Sequence, residues 1–205
     1  MYFIKTPTWL QRLFPRYTWR VPTREKVLYL TFDDGPIPEV TPSVLAILRR
    51  YKAKATFFCV GDNVNKHPEV FEQVLTEGHT IGNHTFHHLN GWATRAEDYL
   101  QNISACAERV RSRLFRPPYG KIKPQQAEWL FKNEYKIVMW DVLSGDFDTQ
   151  ITGERCLQNI INHAAEGSVV VFHDSQKAAD RVLYALPRVL EHYAAQGYRF
   201  AAIPH

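Results

Sequence analysis

The sequence predicts an α/β fold, a distorted or incomplete (β/α) barrel of about seven parallel strands. Three observations carry that expectation. Short β-branched and aromatic runs alternate about seven times with longer segments of helical periodicity, the pattern of parallel βαβ units. The unusual polar clusters follow the apolar runs directly, where such folds build their sites, and strand ends converging on one mouth suit a barrel. At 205 residues the chain is shorter than the roughly 250 of a complete eight-fold barrel.

In chain order, KVLYLTF (26–32) reads as a buried strand that stops at the turn-forming DDGP. TPSVLAILRRYK (41–52) is a helix with Thr41 as N-cap and Pro42 at the first helical position. There follow strand ATFFCVG (55–61), helix HPEVFEQVLTEG (67–78), strand HTIGN (79–83) and helix RAEDYLQNISACAERVRSRL (95–114). A loop, FRPPYGK (115–121), precedes helix 123–134, one strand YKIVMWDV (135–142), helix 153–167, strand SVVVFHD (168–174), helix 180–196 and a last strand, YRFAAI (198–203).

Residues 25–205 read as one domain, with 1–24 as an N-terminal segment packing on it. That segment interleaves Phe3, Trp9, Leu10, Phe14, Tyr17 and Trp19 with basic residues. Its prolines prevent a long amphipathic helix, so the aromatics are expected to cover one end of the domain rather than lie in a membrane interface. The 25 basic and 21 acidic residues give +4, and their scatter argues against a nucleic-acid partner. Cys59, Cys106 and Cys156 lie far apart and are expected as reduced packing residues, Cys59 facing the core. The chain shows neither a secretory apolar run nor a span of roughly 18 apolar residues, so a cytoplasmic location is expected over an exported one. Oligomeric state leaves no signature.

NHTFHH (83–88) places His84 and His88 four residues apart, which lets two imidazoles face one ion. TFDDG (31–35) sets two carboxylates at the exit of a buried strand, where holding both ionised calls for a nearby cation. Together they assign Asp34, His84 and His88 as ligands of one catalytic divalent ion with open positions. Zinc is the first choice, and cobalt, manganese, nickel or iron also suit the donors. Asp33 is left as the carboxylate placed to take a proton from water.

These motifs resemble the polysaccharide deacetylase family, the NodB-homology domain of carbohydrate esterase family 4, from about residue 25 to the end. TFDDG is similar to that family's first motif and His84-Thr85-Phe86-His87-His88 to its second. The resemblance implies a NodB-like barrel with Asp33 as general base and Asp34, His84 and His88 on metal. RPPYG looks like the third motif, which implies that Arg116 holds the base and that the Tyr119 backbone N–H helps bind the oxyanion. SGDF resembles the fourth, with Asp146 steering the catalytic acid and Phe147 where Trp is usual. VFH is similar to the fifth, making His173 the proton donor with Val171, in place of Leu, as an apolar wall. The two departures change pocket shape rather than chemistry.

The implied activity is metal-dependent removal of N-acetyl groups from N-acetylglucosamine-containing poly- or oligosaccharides, a carbohydrate partner. An O-acetyl esterase or small-amide deacetylase would use the same residues, and a non-catalytic carbohydrate-binding scaffold is the reading from another class. Elsewhere, His79, His87, His163 and His192 are expected at the surface. Asn83 is read as a turn former or a support for a ligand, Asp141 and Asp174 as caps or supports. Trp92, Trp129 and Trp140 are read as packing aromatics, Trp140 as core.

Overall fold

A computed structural model describes residues 2–204. Seven strands lie in the order β5 (Lys136–Ile137), β4 (Leu114–Phe115), β3 (Thr80–Asn83), β2 (Thr56–Cys59), β1 (Val27–Asp33), β7 (Val169–His173), β6 (Val142–Leu143). β8 (Arg199–Phe200) pairs with the first residues of β1, and every strand pairing is parallel. Around the sheet run α1 (Thr8–Leu13), α2 (Thr41–Arg50), α3 (Gly61–Lys66), α4 (Pro68–Thr76), α5 (Ala96–Ala107), α6 (Pro124–Lys132), α7 (Gly153–Ile161) and α8 (Ala179–Ala195).

Chain connectivity forces this sheet to curl. β5 and β6 are its opposite edges, yet Ile137 and Val142 are joined by only five Cα steps, which span at most about 19 Å. A flat sheet of seven strands would hold its edges about 29 Å apart. The result is the expected distorted, incomplete barrel. The run 135–142, read from sequence as one strand, is the seam at which the barrel almost closes.

The N-terminal segment fills that seam. Thr18 donates its N–H to the Ile137 carbonyl (2.8 Å) and accepts at its own carbonyl from Met139 N (2.8 Å). Further along, Thr6 N–H bonds Asp141 O (2.9 Å) and Leu143 N–H bonds Ile4 O (2.8 Å). Backbone groups left over at the two sheet edges therefore find partners. Buried Asp141 anchors the strap: its Oδ2 accepts from Lys5 Nζ at 2.7 Å and Ser168 Oγ at 2.6 Å, with Arg20 Nε at 3.6 Å. The segment's aromatics divide. Trp19 is buried and Leu10 and Tyr17 pack beside it, whereas Phe3, Trp9 and Phe14 are exposed.

Strand periodicity sorts the side chains into two sets. Leu28, Leu30 and Phe32 of β1 join Val44 and Leu48 of α2 and Leu186 and Val189 of α8 in the outer core. The Phe32 ring stacks between Phe57 (5.0 Å) and Phe172 (5.8 Å). Val27 and Tyr29 fall in a second cluster with Phe58, Leu114, Val138 and Val169. Thr31 and Asp33 continue that inner row on β1, as Val171 and His173 do on β7, so alternation carries both rows to the carboxyl mouth.

Several expectations need correction. Helix 95–114 ends at Ala107, and Leu114–Phe115 is a short strand, too brief to show periodicity. α3 (Gly61–Lys66) falls, past Gly61, in a stretch to which the sequence assigned no element. Thr41 is not the N-cap: the helix begins with it, its hydroxyl accepts from Ile37 N (2.8 Å) and donates to Asp174 Oδ2 (2.6 Å). His79 is buried, not superficial; its Nδ1 accepts from Ala55 N (3.2 Å), and burial pulls its pKa down to about 4. The three cysteines are free and buried. Among the described residues no helix is long and apolar enough to cross a membrane.

Asp141→Ala strands Ser168 and the Lys5 ammonium against a buried wall. It should cost about 3 kcal/mol of stability, read as a lower urea midpoint at unchanged slope; a loss under about 0.5 kcal/mol would mean the strap does not depend on this carboxylate.

Candidate active site

Four strand ends meet at one mouth. β1 delivers Asp33 and the adjoining turn Asp34; β3 runs into His84; β4 runs into Arg116; β7 ends on His173. Asp33 and His173 are register partners on neighbouring strands. The mouth opens on a cavity of about 460 Å³ that Asp33, Asp34, His84 and His173 share with His88, Tyr119, Trp140, Leu143, Phe147 and Val171, Arg116 lying buried behind them. That size is typical of a small-ligand site.

Asp34, His84 and His88 each offer one ligand atom, and the three atoms lie within 4.8 Å of one another. Asp34 Oδ1 stands 3.1 Å from His88 Nε2 and 3.7 Å from His84 Nε2. Both imidazoles are braced from behind. His84 Nδ1 donates to the Arg116 carbonyl (2.7 Å), which fixes the tautomer and leaves the Nε2 lone pair facing Asp34. His88 Nδ1 bonds Tyr119 Oη at 3.1 Å. Burial is the main reason His84 titrates low, at about 4, despite nearby Asp33 and Asp34; it is a neutral donor at pH 7. Burial works to raise the Asp34 carboxyl, but His88, His173 and His84 hold it well below the usual range. One carboxylate and two imidazoles fit a divalent cation with open coordination positions.

Asp33 is gripped from one side. Arg116 Nη1 bonds its Oδ1 at 2.7 Å, and among the described residues its Oδ2 makes no hydrogen bond. Arg116 is fully buried and well satisfied: Nη1 also reaches Thr31 Oγ1 (2.7 Å), Nε the Val138 carbonyl (3.1 Å) and Nη2 the Met139 carbonyl (2.8 Å). Across the mouth Asp146 accepts twice from His173, at Oδ1 from Nδ1 and at Oδ2 from the backbone N–H, both 2.7 Å. Burial opposes a charged His173 ring, but Asp146, with Asp34 and Asp33, raises its pKa to about 10. Tyr119 follows two prolines that carry no N–H, so its amide is the first donor of that turn. Its backbone is left-handed, φ 60°.

This chain's residues 20–138 match the family model described as polysaccharide deacetylase. The chain belongs to the polysaccharide deacetylase family. It is an enzyme of that class, and the barrel is the family's. A peptidoglycan-N-acetylglucosamine deacetylase of Bacillus cereus is 36% identical over 193 residues, covering 91% of this chain and 90% of that protein. A chitooligosaccharide deacetylase of Azorhizobium caulinodans is 36% identical over 162 residues, 76% of this chain and 77% of the other. Among solved structures, a peptidoglycan N-acetylglucosamine deacetylase in complex with 4-naphthalen-1-yl-N-oxidanyl-benzamide superposes with a TM-score of 0.89 at 30% identity, covering 97% and 95% of the two chains.

The structure brings all eight residues singled out from the deacetylase sequence to this one mouth: Asp33, Asp34, His84, His88, Arg116, Tyr119, Asp146 and His173. Phe147 packs edge-on to the His173 ring at 5.3 Å, and Val171 lines the cavity. Trp140, read as core, is partly buried against two core clusters and also lines the cavity, lying against Gly120. Asn83 acts in the turn, its Oδ1 accepting from Thr85 N at 2.9 Å. Asp174 ties down the loop that carries Asp34: Oδ1 accepts from Gly35 N (3.1 Å) and Oδ2 from Thr41 Oγ1, while burial pushes its pKa up to about 7. His87 is exposed, as expected. Sequence reasoning missed Tyr2, which lines the cavity from the far end of the chain. Lone aromatics near a terminus carry no local signal of where they fold back.

Tyr119→Phe removes the brace on His88 alone. The expected result is a fall of about tenfold in affinity for a divalent cation, measured by calorimetric titration of chelator-stripped protein with zinc; unaltered affinity would show that this hydroxyl does not orient the ring.

Proposed function

We propose that the protein hydrolyses N-acetyl groups on N-acetylglucosamine-containing oligo- or polysaccharides, with one divalent cation, zinc by preference, held by Asp34, His84 and His88. One observation carries the reading: Asp33 and His173 oppose each other on adjacent strands, one a carboxylate with a free oxygen and the other a charged imidazole, with the three ligand atoms at the same mouth. A bound cation supplies Lewis-acid polarisation of the acetyl carbonyl and acidifies a water.

The chain's own groups do the rest. Asp33 accepts the water proton at Oδ2, while Arg116 fixes the carboxylate's orientation through Oδ1. The Tyr119 N–H meets charge developing on the carbonyl oxygen. His173, held at Nδ1 by Asp146, presents Nε2 to the departing nitrogen and protonates it as the C–N bond breaks. Val171, Leu143 and Phe147 offer an apolar wall that suits a methyl group. An amine leaves poorly without a proton, whereas an alkoxide from an ester depends less on one. An acid kept charged by a buried carboxylate therefore favours the amide over the O-acetyl reading. The names of the relatives point to N-acetylated saccharides as well.

Asp33→Asn should lower kcat for acetate release from N-acetylchitotetraose by about 10²- to 10⁴-fold without loss of bound metal; undiminished turnover would falsify the base assignment. Chelation should silence the wild-type enzyme, and zinc should restore it.

Asp146→Asn tests the acid. His173 is charged below its raised pKa and inactive as a donor above it, so the falling limb of the pH profile lies on the alkaline side. A bound cation opposes the ring's charge and sets that limb below 10. Removing the Asp146 charge takes away the main raising influence, so the alkaline limb should move to lower pH. A limb that stays in place, seen in kcat/KM from pH 6 to 10, would remove His173 from the acid role.

A further inference from the structure

We propose that residues 2–6 of the N-terminal strap build a saccharide subsite beside the reacting site, with Tyr2 as its aromatic platform. This rests on the deacetylase reading above and extends it to the substrate's neighbouring ring.

Tyr2 lies outside every catalytic motif, yet it lines the same cavity as His173, Phe147 and Lys177. Its position is built. The Leu143 N–H bonds the Ile4 carbonyl, Lys5 pairs as a bridge with Val142, and the Lys5 ammonium is seated on Asp141. These contacts fix the strap two to three residues from Tyr2. At the tip, the Tyr2 ring meets Phe147 edge-on at 5.0 Å and its hydroxyl donates to Asp148 Oδ2 at 2.9 Å. Burial and the Asp148 carboxylate push the phenol up to about 12, so it remains a neutral donor throughout the working range.

Held at both ends, the ring is still 37% exposed. An aromatic fixed by a hydrogen bond and an edge contact, with part of its surface left to a cavity, suits the apolar C–H face of a pyranose. Phe147 lies between Tyr2 and His173, in contact with both. Tyr2 is thus one ring beyond the wall of the reacting site, the place for a sugar linked to the one that loses its acetyl group. A Trp at position 147 would occupy more of this space; the smaller Phe leaves it to Tyr2.

The test compares a substrate with neighbouring rings against one with none. Tyr2→Ala should raise KM for N-acetylchitotetraose about five- to tenfold with kcat within about threefold, and should change KM for 4-nitrophenyl acetate far less. Tyr2→Phe keeps the ring and should restore most of the tetrasaccharide KM. A tetrasaccharide KM untouched by Tyr2→Ala, or equal rises for both substrates, overturns the subsite. Calorimetric binding of the tetrasaccharide separates this proposal from the one it rests on. Tighter binding to wild type than to Tyr2→Ala, with no acetate released, leaves the subsite standing and removes the deacetylation of saccharides. Absence of both binding and release removes both.

Discussion

The buried guanidinium of Arg116 is the interaction on which the rest of the structure depends. Taking an arginine out of water is costly unless its donors are met and its charge is balanced. Here four hydrogen bonds and one carboxylate do both: Thr31 and Asp33 on β1, and the carbonyls of Val138 and Met139 at the seam. The flat face of the group lies 4.2 Å from the centre of the Phe58 ring. Its own carbonyl orients His84. One residue thus joins a central strand, the closing stretch of the barrel, the proposed base Asp33 and the proposed ligand His84. Moving any of them disturbs the others, so closing the fold and assembling the site are the same event.

Within that frame the same side-chain type is driven to opposite protonation states. His84 is enclosed with its Nδ1 committed to a neutral carbonyl, and desolvation keeps it uncharged, the state the proposed ligand role requires. His173 is also largely enclosed, but its Nδ1 meets a buried carboxylate, and the ring holds its proton into the alkaline range. Environments that push like groups apart in pKa are how one pocket can contain both the proposed ligand and the proposed acid at pH 7. The difference lies in what stands behind each ring, a backbone oxygen or Asp146.

Much of this was legible in the sequence because the signals were local. TFDDG, His84 and His88, RPPYG and VFH each end a strand, and strand ends in a parallel barrel converge. The alternation of apolar runs gave the class of fold, and the shortfall in length gave its incompleteness. What escaped was non-local. A two-residue strand such as Leu114–Phe115 has no periodicity to display. The break at 138–141 is imposed by ring closure, and YKIVMWDV looks like one strand because its apolar residues are buried on either side of the break. Trp140 belongs to that break, which is why it faces the cavity as well as packing on the core. Asp174 read as a cap or a support, and only the folded chain shows it to be the support that grips Gly35, where a Cβ would lie 2.0 Å from its Oδ2.

Strain in the loops explains why so many polar residues surround the motifs without taking part in chemistry. Asp34, Thr85, His88 and Tyr119 all have positive φ, a conformation that costs of order 1–3 kcal/mol at each non-glycine position. The Asp34 turn and the histidine turn are clamped. Asn63 Nδ2 bonds the Asp34 carbonyl at 2.7 Å and Asp174 holds the next amide; Asn83 and the Thr85 hydroxyl brace the histidine turn, the latter from Leu89 N at 3.1 Å; Asn102 Oδ1 accepts from both Phe86 and His87 N–H groups. A relaxed loop would let the ligand atoms drift apart, and a cation would then have to gather them at the expense of its own affinity. Fixing the turns during folding moves that cost out of the binding step, and donors already aimed where charge develops need no reorganisation when the carbonyl is attacked.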